Sequence, residues 1–448
     1  MRQNQDITVS DAAPISHGDT SRALFFGFFF LCILLPVSVS LDGLRITPLR
    51  LFLLITIIPY LFRIFTPGAG GASLTDWLMM AFGSWLMVSL TVLHGVERLP
   101  YAGINAVEML GGYLVGRVCI RNAFQHQAFF RVYFRVLLLL LPFVAFELMT
   151  GRSLLMDAFG SLVSFGKNYD QRMGLYRVQA VFPHAILWGL FCSIAIGNLF
   201  YIYGGTLLSG GPRSLLALGM TYSSLSSGPF LAGVLQMGLI LWDKVLKGRW
   251  KLLLVLAVFG YVTLDALSNR TPVQIVIEEL TFSSGTGWYR LNIWEYGTQS
   301  VMNHPLFGIG LNDWERPDWM SGSSVDNFWL LMAMRYGLPG FLCLAGAIAL
   351  TVYRVVRSPI TDPLARRMRV GYLVTMVGLV TIAASTYMIT YSHHLYATFE
   401  PVLGMFERKG TPREPHGSAA VAKHGYDVVI FGLGRFGTAL GVRLKDRG

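Results

Sequence analysis

Apolar stretches long enough to cross a lipid bilayer recur along this chain of 448 residues. Hydrocarbon cannot satisfy backbone polar groups, so such stretches form either helices or a closed barrel. The stretches are continuous and do not alternate with a period of two, which favours helices. We predict an all-α polytopic membrane protein with about 11–12 transmembrane helices. The predicted spans cover residues 23–40, 48–65, 74–93, 102–118, 132–149, 183–203, 213–226, 229–242, 250–267, 327–353 and 369–391, with a weaker twelfth near 395–406.

The charged residues support this prediction. Only 14% of the residues are charged, whereas soluble proteins carry about 25%. The net charge of +11 would suit a nucleic-acid-binding protein, but the basic residues lie between the spans, as in membrane proteins. We therefore expect membrane lipids as partners and no nucleic acid. The four cysteines lie in apolar stretches, and their spacing provides neither a disulfide framework nor a metal site.

Three basic segments fix the predicted orientation. Residues 117–135, 243–251 and 354–369 fall on one side when the spans are counted, together with the N-terminal segment 1–22. Basic loops stay in the cytoplasm, so we expect a cytoplasmic N-terminus. The two longest loops, 150–182 and 268–326, then lie on the opposite face. Long loops in an otherwise compact bundle usually carry function.

Two further features concern the spans themselves. Residues 213–226 and 229–242 are short and are separated by Ser226, Ser227, Gly228 and Pro229. They form either two short helices or one broken helix, and irregular backbone at membrane depth usually lines a cavity. Glu108 lies inside the fourth span, on the face opposite to Arg117, and we expect it to stabilise the bundle.

An ordered set of motifs occupies the second long loop and the span after it. Residues 286–297 read TGWYRLNIWEYG, residues 303–320 read NHPLFGIGLNDWERPDWM, and residues 323–340 read SSVDNFWLLMAMRYGLPG. Upstream, residues 177–189 read RVQAVFPHAILWG. In these motifs the chain resembles the O-antigen ligase and polysaccharide polymerase superfamily of bacterial inner membranes, in particular the branch linked to exopolysaccharide synthesis. The resemblance covers roughly residues 20–395.

The resemblance implies a GT-C-like ligase or polymerase architecture and a glycosyltransferase activity. The expected reaction is a metal-independent, inverting transfer of a glycan from an undecaprenyl-diphosphate carrier to a sugar hydroxyl at the periplasmic face. No cofactor is expected. The implied partners are the lipid-linked oligosaccharide, an acceptor glycan or lipid, a chain-length regulator and other polysaccharide-assembly proteins. Polymerase is favoured over ligase, although no residue distinguishes them.

The departing lipid diphosphate needs fixed positive charge, and guanidinium groups bind phosphate oxygens in a bidentate manner. Four arginines fall on the predicted outer side, where arginine is otherwise scarce. We predict that they bind the diphosphate: Arg177, Arg270, Arg290 and Arg316. The alternatives are an interfacial role for Arg177 or Arg270 and a structural ion pair between Arg290 and Glu295.

A second requirement is a group that accepts the proton of the acceptor hydroxyl. Superfamily members often carry a histidine before the Asn that opens the span after the loop, and this chain has Asp326 there. Asp326 is therefore a candidate base, although it could instead cap the helix that begins at Asn327. His184, His304 and Glu295 remain rivals. Relatives also often have an arginine near the 226–229 segment, which this chain lacks, so one anion contact is either missing or supplied elsewhere.

The C-terminal part of the chain changes character after the transmembrane domain, which we place at 23–406. Residues 407–425 read as a linker. Residues 426–448 contain a strand and a GxGxxG pattern and resemble the start of a dinucleotide-binding domain of potassium-transport regulators. The acidic residue and second strand of that fold do not follow, so we expect a truncated fragment that does not bind a nucleotide.

A different class of function also fits a multi-pass protein. A transporter or flippase for lipid-linked sugars or ions would place ionisable residues along several spans and often shows paired halves. In this chain the polar residues concentrate in the outer loops, which favours chemistry at one face.

Overall fold

The computed structural model describes residues 17–41, 44–66, 71–163, 165–167, 169–269, 275, 284–320 and 322–383. The described part is almost entirely helical, with four short strands. The helices are α1 (His17–Leu34), α2 (Pro48–Phe65), α3 (Leu74–His94), α4 (Leu99–Cys119), α5 (Ala123–Thr150), α6 (Leu154–Phe159), α7 (Ala185–Ile202), α8 (Gly211–Tyr222), α9 (Ser227–Val245), α10 (Trp250–Leu267), α11 (Ser284–Asn303), α12 (Phe328–Arg357) and α13 (Pro363–Ala383). The strands form two antiparallel hairpins, β1 (Val39–Leu41) with β2 (Leu44–Ile46) and β3 (Gln171–Arg172) with β4 (Leu175–Tyr176).

Six helices of the described part are long and apolar enough to cross a membrane: α2, α3, α5, α7, α10 and α12. The protein is an all-α polytopic membrane protein. Helix α7 is apolar all round and lies at the centre of the bundle, with 94% of its residues buried against α5, α8, α9 and α13. Helix α10 is the opposite case, because none of its residues is buried in the protein.

Each of the eleven predicted spans has a helical counterpart. The first prediction, 23–40, is wrong at its end, because α1 stops at Leu34. Pro36 has no N–H to continue a helix, and the chain turns there into the β1–β2 hairpin. The weak twelfth span, the linker and the dinucleotide-binding-like tail lie outside the described residues.

The interruption at 226–229 separates two helices. Helix α8 has only 12 residues and is therefore about 18 Å long. It cannot cross a hydrocarbon core of about 30 Å by itself. The connection to α9 is buried, from Ser223 to Ser226. Irregular backbone thus lies inside the protein, as membrane proteins require.

Both long loops lie at the same end of the bundle, because residues from each line one cavity there. The basic ends of the helices meet at the other end. Arg367 donates a hydrogen bond to the carbonyl of Gly204 at 3.1 Å, and the Lys244 ammonium lies 4.9 Å from the ring centre of Tyr201. This relative placement agrees with the one predicted from span counting.

Buried ion pairs connect neighbouring helices. Glu108 of α4 accepts a hydrogen bond from Nε of Arg50 in α2 at 2.6 Å. Arg117 of α4 donates to Asp76 of α3 at 3.0 Å. Glu108 and Arg117 thus have different partners on different helices, and the expected bundle role of Glu108 has a concrete basis.

Candidate functional site

A cavity of about 750 Å³ opens at the end of the bundle that carries the long loops. Four parts of the chain line it: the segment before α7, the start of α9, one residue of α11, and the loop from Ile309 to α12. Its polar lining residues are Arg172, Arg177, His184, Ser226, Ser227, Arg290, Asn312, Asp313, Ser323, Ser324, Asp326 and Arg335. Cavities of roughly 300–1,000 Å³ hold ligands of the size of a sugar diphosphate.

Arg177 is a buried guanidinium on one wall. Its Nη2 donates to the hydroxyl of Ser226 at 2.9 Å, its Nε donates to the carbonyl of Ser224 at 3.3 Å, and its Nη1 lies 3.3 Å from the carboxylate of Asp170. These bonds tie the loop before α7 to the buried turn between α8 and α9. Arg177 is therefore fixed in position, and a simple interfacial anchor would not need this network.

Arg172 brings a second guanidinium to the same wall. It ends strand β3, ahead of a tight turn in which Met173 and Gly174 both have positive φ, as type I′ hairpins require. Its Nη1 donates to the carbonyl of Leu225 at 3.0 Å. Arg172 thus contacts the residue just before the 226–229 segment, near which superfamily members were expected to carry an arginine. The sequence analysis missed it, although the Met-Gly pair between two short β-prone stretches was a usable hairpin signal.

His184 forms the N-cap of α7. Its Nδ1 accepts a hydrogen bond from the N–H of Ile186 at 3.2 Å. Burial, and then repulsion from Arg177, lower the pKa of His184 to about 4. The imidazole is therefore neutral near pH 7 and carries its proton on Nε2. In this tautomer Nε2 of His184 is a hydrogen-bond donor.

Arg290 and Asp326 face each other across another part of the cavity. Nε of Arg290 lies 3.8 Å from Oδ2 of Asp326, and this buried Nε has no hydrogen-bond partner among the described residues. The expected alternative, a pair between Arg290 and Glu295, is not seen. Burial raises the pKa of Asp326, and the charge of Arg290 lowers it. A buried donor without a partner is rare, and in a cavity it is available to a ligand atom or a water molecule.

Asn327, and not Asp326, caps helix α12. Its Oδ1 accepts the N–H of Leu330 at 3.1 Å, as an N-cap side chain does. The alternative role considered for Asp326 is therefore wrong. The carboxylate of Asp326 is left to face the cavity.

The HPLFGIG turn packs into a kink of α12. Gly337 has φ +69°, which interrupts the helical hydrogen bonds and leaves the carbonyls of Met334 and Arg335 available. The N–H groups of Ile309 and Gly310 donate to these carbonyls at 2.7 and 3.1 Å. The turn thereby fixes the wall that continues to Trp314.

Two glycines make this contact possible. A Cβ on Gly337 would lie 2.0 Å from the carbonyl oxygen of Leu306, and one on Gly308 would lie 2.3 Å from that of Met334. The close approach explains why glycine occupies both positions. The backbone of α12 is non-helical at Gly337, the first residue of GLPG, and a second helical segment continues from there to Arg357.

The residues named so far connect to a known family. Residues 214–345 match a family model described as O-Antigen ligase. This segment of the chain is similar to the O-antigen ligase family, which supports the resemblance that its motifs indicate. No curated protein matches the chain.

The matched segment supplies Arg290, Asp326, the start of α9 and the HPLFGIG turn. Arg172, Arg177 and His184 precede the matched segment and complete the cavity from outside it. The matched segment therefore does not form the cavity alone.

Two predicted site residues lie away from the cavity, and a third cannot be placed. Arg316 does not line the cavity, because its guanidinium binds the carboxylate of Asp313 at 2.6 Å and the carbonyl of Met320 at 2.8 Å. His304 is exposed, begins the HPLFGIG turn and does not line the cavity. Arg270 lies outside the described residues.

In the described part of the chain, no three His, Cys, Asp or Glu side chains are grouped as a metal site. The charged lining of the cavity consists mainly of arginine. Burial, and then repulsion from Arg172, lower the pKa of Arg177. Burial also lowers the pKa of Arg290, against the attraction of Asp326 and with the repulsion of Arg172. Arg172 is thus close enough to repel both Arg177 and Arg290, and an anion would relieve that repulsion.

Proposed function

We propose that this protein transfers a glycan from an undecaprenyl-diphosphate carrier to a sugar hydroxyl. The observation that carries the proposal is the unpaired, buried Nε of Arg290 opposite the carboxylate of Asp326 in one cavity of the described part of the chain. A phosphate oxygen accepts a hydrogen bond from Nε of Arg290, and the carboxylate of Asp326 accepts the proton of a hydroxyl group.

Arg172, Arg177 and Arg290 hold the diphosphate in this proposal. The repulsion of Arg172 from the other two is offset by attraction once two phosphates bind between them. Fixed guanidiniums act most strongly on charge that develops in the transition state. Departure of the lipid diphosphate leaves such a charge on the oxygen that had joined it to the sugar.

Asp326 accepts the proton of the acceptor hydroxyl. The acceptor oxygen forms a bond to the anomeric carbon, the bond from that carbon to the diphosphate oxygen breaks, and the electron pair leaves with the lipid diphosphate. A direct displacement of this kind inverts the anomeric configuration. His184 donates a hydrogen bond from Nε2 to a substrate oxygen and does not take the proton. The step needs no cofactor and no metal ion.

The positions of the charges support an extracytoplasmic site. The cavity lies at the end of the bundle opposite to the basic ends of α9 and α13. The positive-inside rule favours cytoplasmic basic ends, which supports a cavity at the periplasmic face of the inner membrane and an N-terminus in the cytoplasm. A lipid-linked donor in the outer leaflet can reach it there. Exopolysaccharide or O-antigen synthesis is the process that this placement fits, with a polymerase favoured over a ligase.

The test uses the full chain, purified in lipid nanodiscs, with a labelled undecaprenyl-diphosphate oligosaccharide and an acceptor glycan. We expect one lipid diphosphate to be released for each new glycosidic bond, with inverted configuration at the anomeric carbon. A longer glycan still attached to lipid identifies a polymerase, and a glycan joined to a different acceptor identifies a ligase. Movement of the intact donor across vesicles without any new glycosidic bond would instead support the transporter alternative.

A further inference from the structure

Glu147 is a buried carboxylate outside the cavity. It lies in the last turn of α5 and its side chain is 2% exposed. Its Oε1 accepts the backbone N–H of Gln179 at 2.8 Å, and its Oε2 accepts the backbone N–H of Ala180 at 3.2 Å. It also forms an ion pair with Lys167, whose side chain is 7% exposed. One carboxylate thus binds a backbone turn and a cation at the same time.

The turn that Glu147 binds has a strained conformation. Ala180 has φ +54°, a left-handed value that L-residues with a Cβ rarely adopt. Such a conformation costs roughly 1–3 kcal/mol and persists only where the surroundings enforce it. The side chain of Ser153 adds a hydrogen bond to the carbonyl of Ala180 at 3.0 Å. Consecutive N–H groups in a turn of this kind form a concave site for an anion, which the carboxylate of Glu147 fills.

The turn lies between two residues of the cavity. Arg177 is two residues before Gln179, and His184 is four residues after Ala180. Lys167 donates from Nζ to the carbonyl of Arg177 at 2.8 Å. The side chain of Gln179 donates to the carbonyl of Pro183 at 2.9 Å, next to His184. The Glu147–Lys167 pair therefore controls the backbone on both sides of the turn.

We propose that Glu147 is a positioning residue for the transfer reaction, which it serves by holding Arg177 and His184 at the cavity through Lys167 and the Gln179–Ala180 turn. The role rests on the proposed function, since it concerns how well the diphosphate and the sugar are held. Glu147 does not line the cavity and touches no substrate. Its loss shifts the guanidinium of Arg177, and a misplacement of about 1 Å costs about 100-fold in rate.

Glu108 offers a matched control. It is also a buried glutamate inside a helix, and it also binds a cation, Arg50, at 2.6 Å. Its partner connects α2 with α4 and is remote from the segment before α7. Glu108→Gln and Glu147→Gln therefore remove the same kind of buried charge, but only the second removes the acceptor that holds the 177–184 segment. The amide that Glu147→Gln introduces would place a donor where a second acceptor is needed.

The experiment measures donor kcat/KM for Glu147→Gln, Glu147→Asp and Glu108→Gln, and repeats Glu147→Gln in the Arg177→Lys background. We expect Glu147→Gln to lower donor kcat/KM by about 100-fold, with an unchanged KM for the acceptor and partial recovery in Glu147→Asp. Because Glu147 acts through Arg177, its loss should cost far less when Arg177 is already Lys. Hydrogen exchange of residues 177–184 should accelerate in Glu147→Gln and not in Glu108→Gln.

Two results would overturn the positioning role in an active protein. Equal losses from Glu147→Gln in both backgrounds would show that it acts independently of Arg177. Equal losses from Glu147→Gln and Glu108→Gln, with matching unfolding temperatures and unchanged exchange of 177–184, would show only a general cost in stability. If Glu147→Gln does not fold, the same comparison is made with Glu147→Asp. A wild-type protein that forms no glycosidic bond would contradict the proposed function itself.

Discussion

Nε of Arg290 and Oδ2 of Asp326 lie 3.8 Å apart, too far for a hydrogen bond and close enough for a strong electrostatic interaction. The gap leaves both groups able to bind a third atom. Asn327, and not Asp326, caps α12, and Nε of Arg290 has no hydrogen bond in the described part of the chain, while the carboxylate of Asp326 interacts with the side chain of Ser324. The 3.8 Å gap distinguishes this pair from the hydrogen-bonded ion pairs Glu108–Arg50 and Asp76–Arg117 elsewhere in the bundle.

Asp326→Asn should abolish transfer without destabilising the protein. The loss of a general base lowers the rate by about 10²–10⁴-fold. Burial raises the pKa of Asp326 in the folded state. The folded state then binds the proton more tightly than the unfolded state, so the stability that this group contributes is lost as pH rises through its folded pKa. At neutral pH the ionised carboxylate is a cost, which asparagine removes.

The unfolding temperature at pH 7 and the transfer rate are both measured for Asp326→Asn and for the wild type. We expect an unfolding temperature equal to or above that of the wild type. A clear decrease would mean that the pair with Arg290 is mainly structural.

The pH profile of transfer should have an acidic limb from Asp326 and none from His184. Burial raises the pKa of Asp326 above its ordinary value, so activity falls as pH decreases through that raised pKa. The pKa of His184 is lowered to about 4, so the imidazole stays neutral between pH 5 and 8. His184→Gln should lower the rate and leave the shape of the profile between pH 5 and 8 unchanged. Loss of a limb in this variant would identify His184 as the titrating group.

Arg172→Ala should weaken donor binding more than Arg316→Ala. Arg172 lines the cavity and contacts the buried turn before α9. Arg316 does not line the cavity, and its guanidinium is bound to Asp313. Loss of a charge-assisted contact of about 1.5–3 kcal/mol raises the donor KM by about 10-fold or more. Initial rates over a range of donor concentrations provide the measurement. A larger increase in the donor KM from Arg316→Ala would indicate that the diphosphate binds beside Arg316 and not beside Arg172.

Gly337→Ala should destabilise the domain and reduce activity, while Gly346→Ala should be tolerated. At position 337 the backbone has φ +69° and a Cβ would lie 2.0 Å from the carbonyl oxygen of Leu306. At position 346, in the same helix, the nearest atom would be 3.7 Å away. The strained backbone alone costs roughly 1–3 kcal/mol. Displacement of the HPLFGIG turn adds to this cost. Thermal unfolding of the two variants side by side checks the difference. Equal unfolding temperatures would contradict the role of the kink.

The helices were predictable because long apolar runs permit little else in a membrane. The end of α1 and the helix α11 were not predicted. Helix α11 lies in a loop, and its mixed composition lacks the apolar run on which the predictions depended. Span counting correctly predicted that the long loops lie at the end of the bundle opposite to Lys244 and Arg367, which both contact the C-terminal end of α7.

The candidate site was predictable only in part. Arg177, His184, Arg290 and Asp326 line one cavity, as their order around the outer loops suggested. Arg172 was missed because its position depends on a hairpin that brings it to Leu225, a contact 53 residues away in sequence. Glu147 was read as part of a span, since nothing in the sequence reveals that the strained turn at Ala180 needs a carboxylate.

The most direct measurement of the central claim is the single-turnover rate of Arg290→Lys with a lipid-diphosphate donor, beside the wild type. Lysine keeps the charge but loses the planar donor pair that binds a diphosphate. We expect the rate to fall by about 10²–10³-fold, as for other groups that stabilise charge in a transition state. A rate equal to that of the wild type would remove Arg290 from the site and contradict the account.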